Sequence, residues 1–359
     1  MNVFYGLIGS SELLKEKDPD GSYTFSGISQ KNFLALEESG GRESALEELS
    51  NRICHNLDLT ENIIDFLPKV NIHHYRISSS IFSLISDFSD SLNLTIDDLP
   101  SSSSILSKIR SIGVTARQHN VTLSVYPDST NTLISEDEED INRTFKELNF
   151  HSWFFENAGF PSNTSNPIVI KPYHTPNSES HDSIVSDLKL FYKNFKSLNK
   201  ETQNRIVIQN ESTGFWNCVN LFKYFHVYLH EKYEDGMVLS YYNVADQQNP
   251  GSFDGSETVD SYVNIGAFHE TWMGVVPVFL WSEKDSKGYS TEYLSQAIPD
   301  YNYGIKWECD VRKRDKAIIK YTMPEEEDRV TEEVIIAITK NKYKKSKDTA
   351  RSFNALYDS

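Results

Sequence analysis

The sequence predicts one large (β/α)8 barrel. Three observations lead there: eight short apolar runs rich in β-branched residues, helical-period segments between most of them, and a length of 359 residues. That length suits a barrel of this class, which routinely exceeds the usual size of one domain.

The runs fall at Val3 to Ile8, Ile72 to Ile77, Val121 to Tyr126, Ile168 to Ile170, Arg205 to Ile208, Met237 to Leu239, Val275 to Leu280 and Gly304 to Trp307. Short runs of this composition, separated by helical-period segments, read as strands. Ala45 to Leu67, Ser183 to Leu198 and Trp216 to Tyr233 carry apolar residues at helical spacing. Two stretches fit the alternation less well. Ser101 to Ser104 reads as a polar loop or helix start, and Asp246 to Asp260, rich in Gly, Asn, Gln and Ser, reads as a loop. No internal repeat interrupts the pattern. In a barrel of this kind the residues just after each strand line the working face, so those residues are the candidates for function.

Composition narrows the classes. A hydrophobic fraction of 38% and an aromatic fraction of 12% support a sizeable core, and no stretch approaches the roughly 18 consecutive apolar residues of a membrane span. The start, Met1 to Gly9, lacks a basic segment and reads as a first strand rather than a secretory signal, so a cytoplasmic or otherwise intracellular location with no membrane partner is expected. Cys54, Cys218 and Cys309 are scattered without the paired spacing of a zinc site and are expected as free thiols. The net charge of −17 repels a phosphate backbone at long range, so any nucleic-acid contact has to be local. Lys340 to Arg351 is the densest basic stretch, though composition alone favours a solvated tail there.

Short motifs add a specific resemblance. Asn56-Leu57 on a helix, Tyr75-Arg76-x-Ser78-Ser79 at the end of a strand, Val121 to Pro127, and Glu147-Leu148-x-x-His151 resemble the framework of the UV damage endonuclease family. The resemblance spans about Val3 to Ala317. It implies a xylose isomerase-like TIM barrel over residues 1–320, followed by a charged C-terminal extension over 321–359. It also implies a function in recognition or repair of damaged DNA, and a divalent metal cluster, such as manganese, held by His, Asp and Glu at the strand ends.

At those positions the residue types change. The family's His-Pro after the third strand corresponds to Tyr126-Pro127, its Val-Ile-His after the fourth to Val169-Ile170-Lys171, and its Leu-Glu-Asn-Asp after the fifth to Ile208-Gln209-Asn210-Glu211. Ser240 to Asn243 carries neither carboxylate nor imidazole, and Leu280, Ser290 and Asp87 fall at or near further family histidines. Only Trp307-Glu308-Cys309 resembles its family counterpart, with Arg312, Lys313, Arg314 and Lys316 after it. A protonated lysine and a protonated phenol are not ligands for a hard divalent ion. The chain is therefore expected to hold no metal cofactor, with phosphodiester cleavage impaired or lost. Lys171 is expected to approach Glu308 and to supply one fixed positive charge where an ion would sit, and independent drift of these positions is the competing reading.

The family's lesion-probing Gln-Tyr pair corresponds to Ser129-Thr130, which cannot stack, while Tyr126, Tyr173, Tyr241 and Tyr242 stand at or near strand ends. For each tyrosine, core packing is the more common role. The expected chemistry-bearing residues are Glu308, Lys171 and His174, and the expected DNA contacts are Tyr126, Asn210, Arg312, Lys313 and Arg314. Two other functions remain open: a scaffold that uses the barrel for protein partners, and an isomerase-like enzyme acting on a small polar substrate through Lys171, His174 and Glu308.

If the tail touches DNA, replacing Lys342, Lys344, Lys345 and Lys347 with glutamine lowers affinity and flattens its salt dependence by about one unit of slope per lost phosphate contact. A salt titration of duplex binding reads both effects.

Overall fold

The computed structural model describes residues 4–9, 11, 14, 23–70, 72–85, 92–251, 268, 271, 278–281 and 306–309. Strands and helices alternate through it. β1 (Phe4–Ile8) is followed by α1 (Gln30–Phe66), β2 (Ile72–Ile77), α2 (Ser102–Gln118) and β3 (Thr122–Val125). Next come α3 (Glu138–Asn157), β4 (Ile168–Ile170), α4 (His181–Ser197), a single turn α5 (Lys200–Gln203) and β5 (Ile206–Gln209). A long helical segment, α6, runs through Cys218–Leu221, a π-helical middle at Phe222–Tyr228, and Leu229–Tyr233. β6 (Leu239–Ser240), α7 (Asn243–Gln248), β7 (Val278–Trp281) and β8 (Lys306–Cys309) complete the order.

All strand pairs are parallel, in the order β6-β5-β4-β3-β2-β1-β8-β7. The first strand sits in the middle of this order, and β6 and β7, at its two ends, also lie beside each other. Parallel strands in this order with helices between them make a barrel-type α/β fold. β4 and β5 are buried along their whole length, as strands covered on both faces must be.

The eight expected strands all appear, within about three residues of their predicted bounds. The helix expected from Ala45 begins earlier, at Gln30, because the segment crosses a kink at Gly41, whose φ of 83° suits glycine. Ser101 is the residue before α2, so the serine run is a helix start rather than a loop. The stretch from Asp246, expected as a loop, opens instead inside α7, and residues 252–260 lie outside the described part.

The family-like motifs have structural work in this packing. Asn56, 1% exposed, accepts from the Ser26 N–H at 2.8 Å and donates to the Ser26 and Ile81 carbonyls, so it ties two loops to α1, while Leu57 enters the core. Tyr75 is fully buried and donates its hydroxyl to the Gly9 carbonyl at 2.9 Å, linking the ends of β1 and β2. Its neighbour His74, also fully buried, is bonded through both ring nitrogens to the hydroxyls of Thr122 and Ser124 on β3. The ring is thus packed and hydrogen-bonded within the core.

α2 and α3 touch at Gly113, where a Cβ would stand 1.7 Å from the Ala158 carbonyl oxygen. Arg117 donates to that same carbonyl and to that of Gly159, closing the end of α3. A methyl group at Gly113 therefore forces the two helices apart. Gly113→Ala is expected to cost about 2 kcal/mol or more, read as a lower midpoint in urea unfolding.

Candidate active-site mouth at the strand ends

The carboxyl ends of β2 to β6 converge on a cluster of aromatic and cationic side chains. β2 delivers Arg76, 7% exposed, whose guanidinium lies 4.9 Å from the centre of the Tyr126 ring. Tyr126 follows β3, and its hydroxyl is 3.1 Å from that of Tyr173. Lys171 follows β4, with its Nζ 6.0 Å from the centre of the Tyr126 ring and 5.9 Å from those of Tyr173 and Tyr242. Three tyrosine rings thus surround one ammonium, an arrangement favoured by the negative faces of the rings. Lys171 and the three tyrosines are half-buried, so the cluster is reachable from outside.

The loop after β4 holds Lys171 in place. Tyr173 adopts φ 45°, a left-handed conformation that is costly for a bulky residue. It is held by its neighbours: Thr132 donates to the Pro172 carbonyl at 2.8 Å, the Tyr173 N–H donates to the Glu211 carboxylate at 2.7 Å, and Trp216 Nε1 donates to the His174 carbonyl at 2.9 Å. Burial pushes the Glu211 carboxyl above its ordinary range, while the Tyr173 N–H and the nearby Lys171 charge act in the opposite direction. Burial also pushes the Tyr126 phenol up, so it stays protonated at any physiological pH.

Two further clamps set the rim. Asn210 is fully buried and spends its amide on Tyr242, donating to its carbonyl at 3.0 Å and accepting its N–H at 2.7 Å. Glu147, from the Glu-Leu-x-x-His segment of α3, accepts from the Asp128 N–H at 2.8 Å and from Asn131 Nδ2 at 2.7 Å. It anchors the loop whose exposed tip is Ser129-Thr130.

Among the sequence-predicted site residues, Lys171 and Tyr126 meet in the mouth. Asn210 lies beneath it as a clamp on Tyr242. His174 is turned to Asp187, with Nε2 3.1 Å from the carboxylate. Glu308 sits on β8, paired in register with Gly6 and Leu280, and its side chain lies outside the described residues. Arg312, Lys313, Arg314 and the Lys340 to Arg351 stretch lie outside them as well.

The sequence reading passed over three groups that the fold makes important. Arg76 lies within the Tyr75-Arg76-x-Ser78-Ser79 motif and Glu211 directly after Gln209-Asn210, and neither setting marks a role. Asp246 is a fully buried carboxylate that accepts the Tyr241 hydroxyl at 2.8 Å. Burial, reinforced by Asp246, raises the Cys218 thiol well above its usual value. Cys54 and Cys218 are free thiols, and burial raises Cys54 as well.

A divalent metal cluster does not fit the described donors. At the positions of the family's ligands stand a protonated phenol, an ammonium and the amide of Gln209, whose buried Oε1 accepts no hydrogen bond, and the neighbouring Glu211 carboxylate already accepts the Tyr173 N–H. Among the described residues no group of three or more His, Cys, Asp and Glu is placed to hold a metal ion.

Residues 5–250 match the family model described as UV-endonuclease UvdE, and the chain belongs to that family. A UV DNA damage endonuclease from Nostoc sp. is 25% identical over 196 residues, covering 55% of this chain and 55% of that protein. One from Clostridium perfringens is 24% identical over 164 residues, 45% of this chain and 35% of that protein. The matches thus span about half, or less, of those relatives' length. The crystal structure of SacUVDE shares the fold, with a TM-score of 0.65 at 17% identity over 89% of this chain and 96% of that one.

Raising the Glu211 pKa on folding makes the native state bind more protons than the unfolded state, so its contribution to stability falls as pH rises from the unfolded value through the folded one. Glu211→Gln keeps an acceptor for the Tyr173 N–H and removes that dependence. The variant is expected to gain thermal stability relative to the parent at pH 7 and little or none at pH 4. An equal shift at both pH values is the contrary result.

Proposed function

We propose that this chain recognises damaged DNA at the strand-end mouth of a single xylose isomerase-like (β/α)8 barrel spanning about residues 1–320, with 321–359 as a charged extension. In this reading fixed side-chain cations replace the family's metal ions as the groups that meet phosphate, and metal-dependent phosphodiester cleavage is impaired or lost. The observation that carries it is Lys171 inside the ring of Tyr126, Tyr173 and Tyr242, with Arg76 against the Tyr126 ring.

That arrangement supports both parts of the reading. Two cations near one ring form a local positive site on a chain whose net charge is −17, which is what nucleic-acid contact requires here. The half-buried tyrosines offer aromatic surface to an unstacked base, as sites for single-stranded nucleic acid do. A lone ammonium holds a phosphate oxygen but does not generate a hydroxide nucleophile as a metal-bound water does. Binding is therefore retained where hydrolysis is not.

Lys171→Gln is expected to weaken binding to an ultraviolet-irradiated duplex about tenfold, the order of one charge-assisted hydrogen bond, and to lower the salt slope by about one unit. Fluorescence anisotropy across a salt series reads both, with added manganese changing neither. Unchanged affinity in the variant, or binding that appears only with manganese, overturns the reading.

A further inference from the structure

We propose that Lys171 is also a Schiff-base nucleophile, and that the mouth takes the ring-opened aldehyde of an abasic site in DNA and cleaves the strand by β-elimination without a metal. The inference rests on the preceding reading that DNA occupies this mouth.

The choice of cation is the first support. For phosphate alone an arginine, with its planar fork of donors, is the better residue, and Arg76 already stands beside the same ring. A primary amine adds what a guanidinium lacks, namely the ability to attack a carbonyl carbon. The second support is position: Lys171 follows β4 at the strand ends, partly exposed, with three ring faces about 6 Å from its nitrogen, where a planar carbonyl or imine can lie against them.

The third support is the proton carriers on the loops after β4 and β5, of which Glu211 interacts with Lys171. Glu211 is half-buried, interacts electrostatically with Lys171, and is fixed by the Tyr173 N–H. Burial moves its carboxyl upward, which favours the protonated form against the pull of Lys171 and the Tyr173 N–H. His174, three residues along the same loop, is paired with Asp187 at 3.1 Å, the pairing that orients an imidazole for acid or base work.

The chemistry balances with these groups and water. Lys171 gives a proton to a neighbouring base, its nitrogen adds to C1′ of the aldehyde, and the carbonyl oxygen leaves as water after receiving two protons. The resulting iminium acidifies C2′, a base removes one C2′ proton, and the electron pair expels the 3′ phosphate with cleavage of the C3′–O bond. Hydrolysis of the unsaturated imine consumes one water and returns the lysine. No oxidant or reductant takes part.

The test uses the full chain, a duplex with one abasic site, and sodium borohydride, which reduces the imine to a stable secondary amine. The expected result is a covalent protein–DNA adduct that peptide mass mapping of the wild-type protein places on Lys171. Lys171→Arg keeps a positive charge but has no primary amine, so the adduct is expected to be lost even at duplex concentrations where anisotropy shows the variant to be saturated. A bound duplex with no adduct, or an adduct mapped to another lysine, overturns the nucleophile and leaves the binding reading standing. Failure of the wild-type chain to bind the duplex at low salt overturns both.

Discussion

The hydrogen bond from the Tyr173 N–H to the Glu211 carboxylate, 2.7 Å long, is the contact on which the strand-end mouth depends. A left-handed tyrosine costs on the order of 1–2 kcal/mol relative to ordinary backbone, and a loop left to itself relaxes out of it. Here relaxation would break a charge-assisted bond in a half-buried place and leave a carboxyl with less solvation than it has in water. Glu211 is in turn fixed through its backbone, donating to the Trp216 carbonyl at 3.0 Å and accepting from Asn249 Nδ2 at 3.2 Å. The loop after β4 thus inherits its shape from the loop after β5, and the position of Lys171 follows from that shape.

A cation fixed in this way differs from a bound metal ion in consequence as well as in kind. Its charge is single and its occupancy does not vary with the ions available, but it cannot polarise water to the degree a divalent centre does. The three surrounding tyrosines compensate for lost hydration through their ring faces, while one hydrogen bond joins the hydroxyls of Tyr126 and Tyr173. Burial holds Tyr126 protonated, so the rings contribute no opposing negative charge. Such a site retains attraction for an anion and gives up the means of activating a hydroxide.

The parts of the fold that depend on local pattern were legible in the sequence, and the parts that depend on long-range contacts were not. β2 and β4 have the bounds expected from sequence: β2 lies between Asn71 and Ser78, and the β-branched Ile-Val-Ile of β4 lies between Pro167 and Lys171-Pro172. β6 is only two residues long, too short for any pattern, and its expected start at Met237 lies two residues early. The helix expected over Trp216 to Tyr233 is present from Cys218, but its π-helical middle leaves no periodic mark distinct from an α-helix. In the mouth, Lys171 and Tyr126 were visible because they directly follow strands. Asp187 lies on a helix 13 residues beyond His174, and nothing in their spacing announces the pair. Glu211 stands at the end of the Ile208-Gln209-Asn210-Glu211 stretch with no role marked in the sequence, and its bond to the backbone of another loop is a property of the folded chain alone.

The residues that make this chain resemble its family separate physically into two groups. Asn56, Tyr75 and Glu147 act inside the protein: each spends its polar atoms on the backbone or side chains of a neighbouring loop, and removing any of them leaves buried partners unsatisfied. Their work is the same whatever occupies the mouth. Tyr126, Lys171 and Gln209 stand where the family's ligands for metal are expected, and Tyr126 and Gln209 meet the hydroxyls of Tyr173 and Ser240 there. The constraint on the first group comes from folding and the constraint on the second comes from chemistry. A chain can therefore belong to the family by its barrel while the mouth of that barrel carries amine, phenol and amide groups suited to different work.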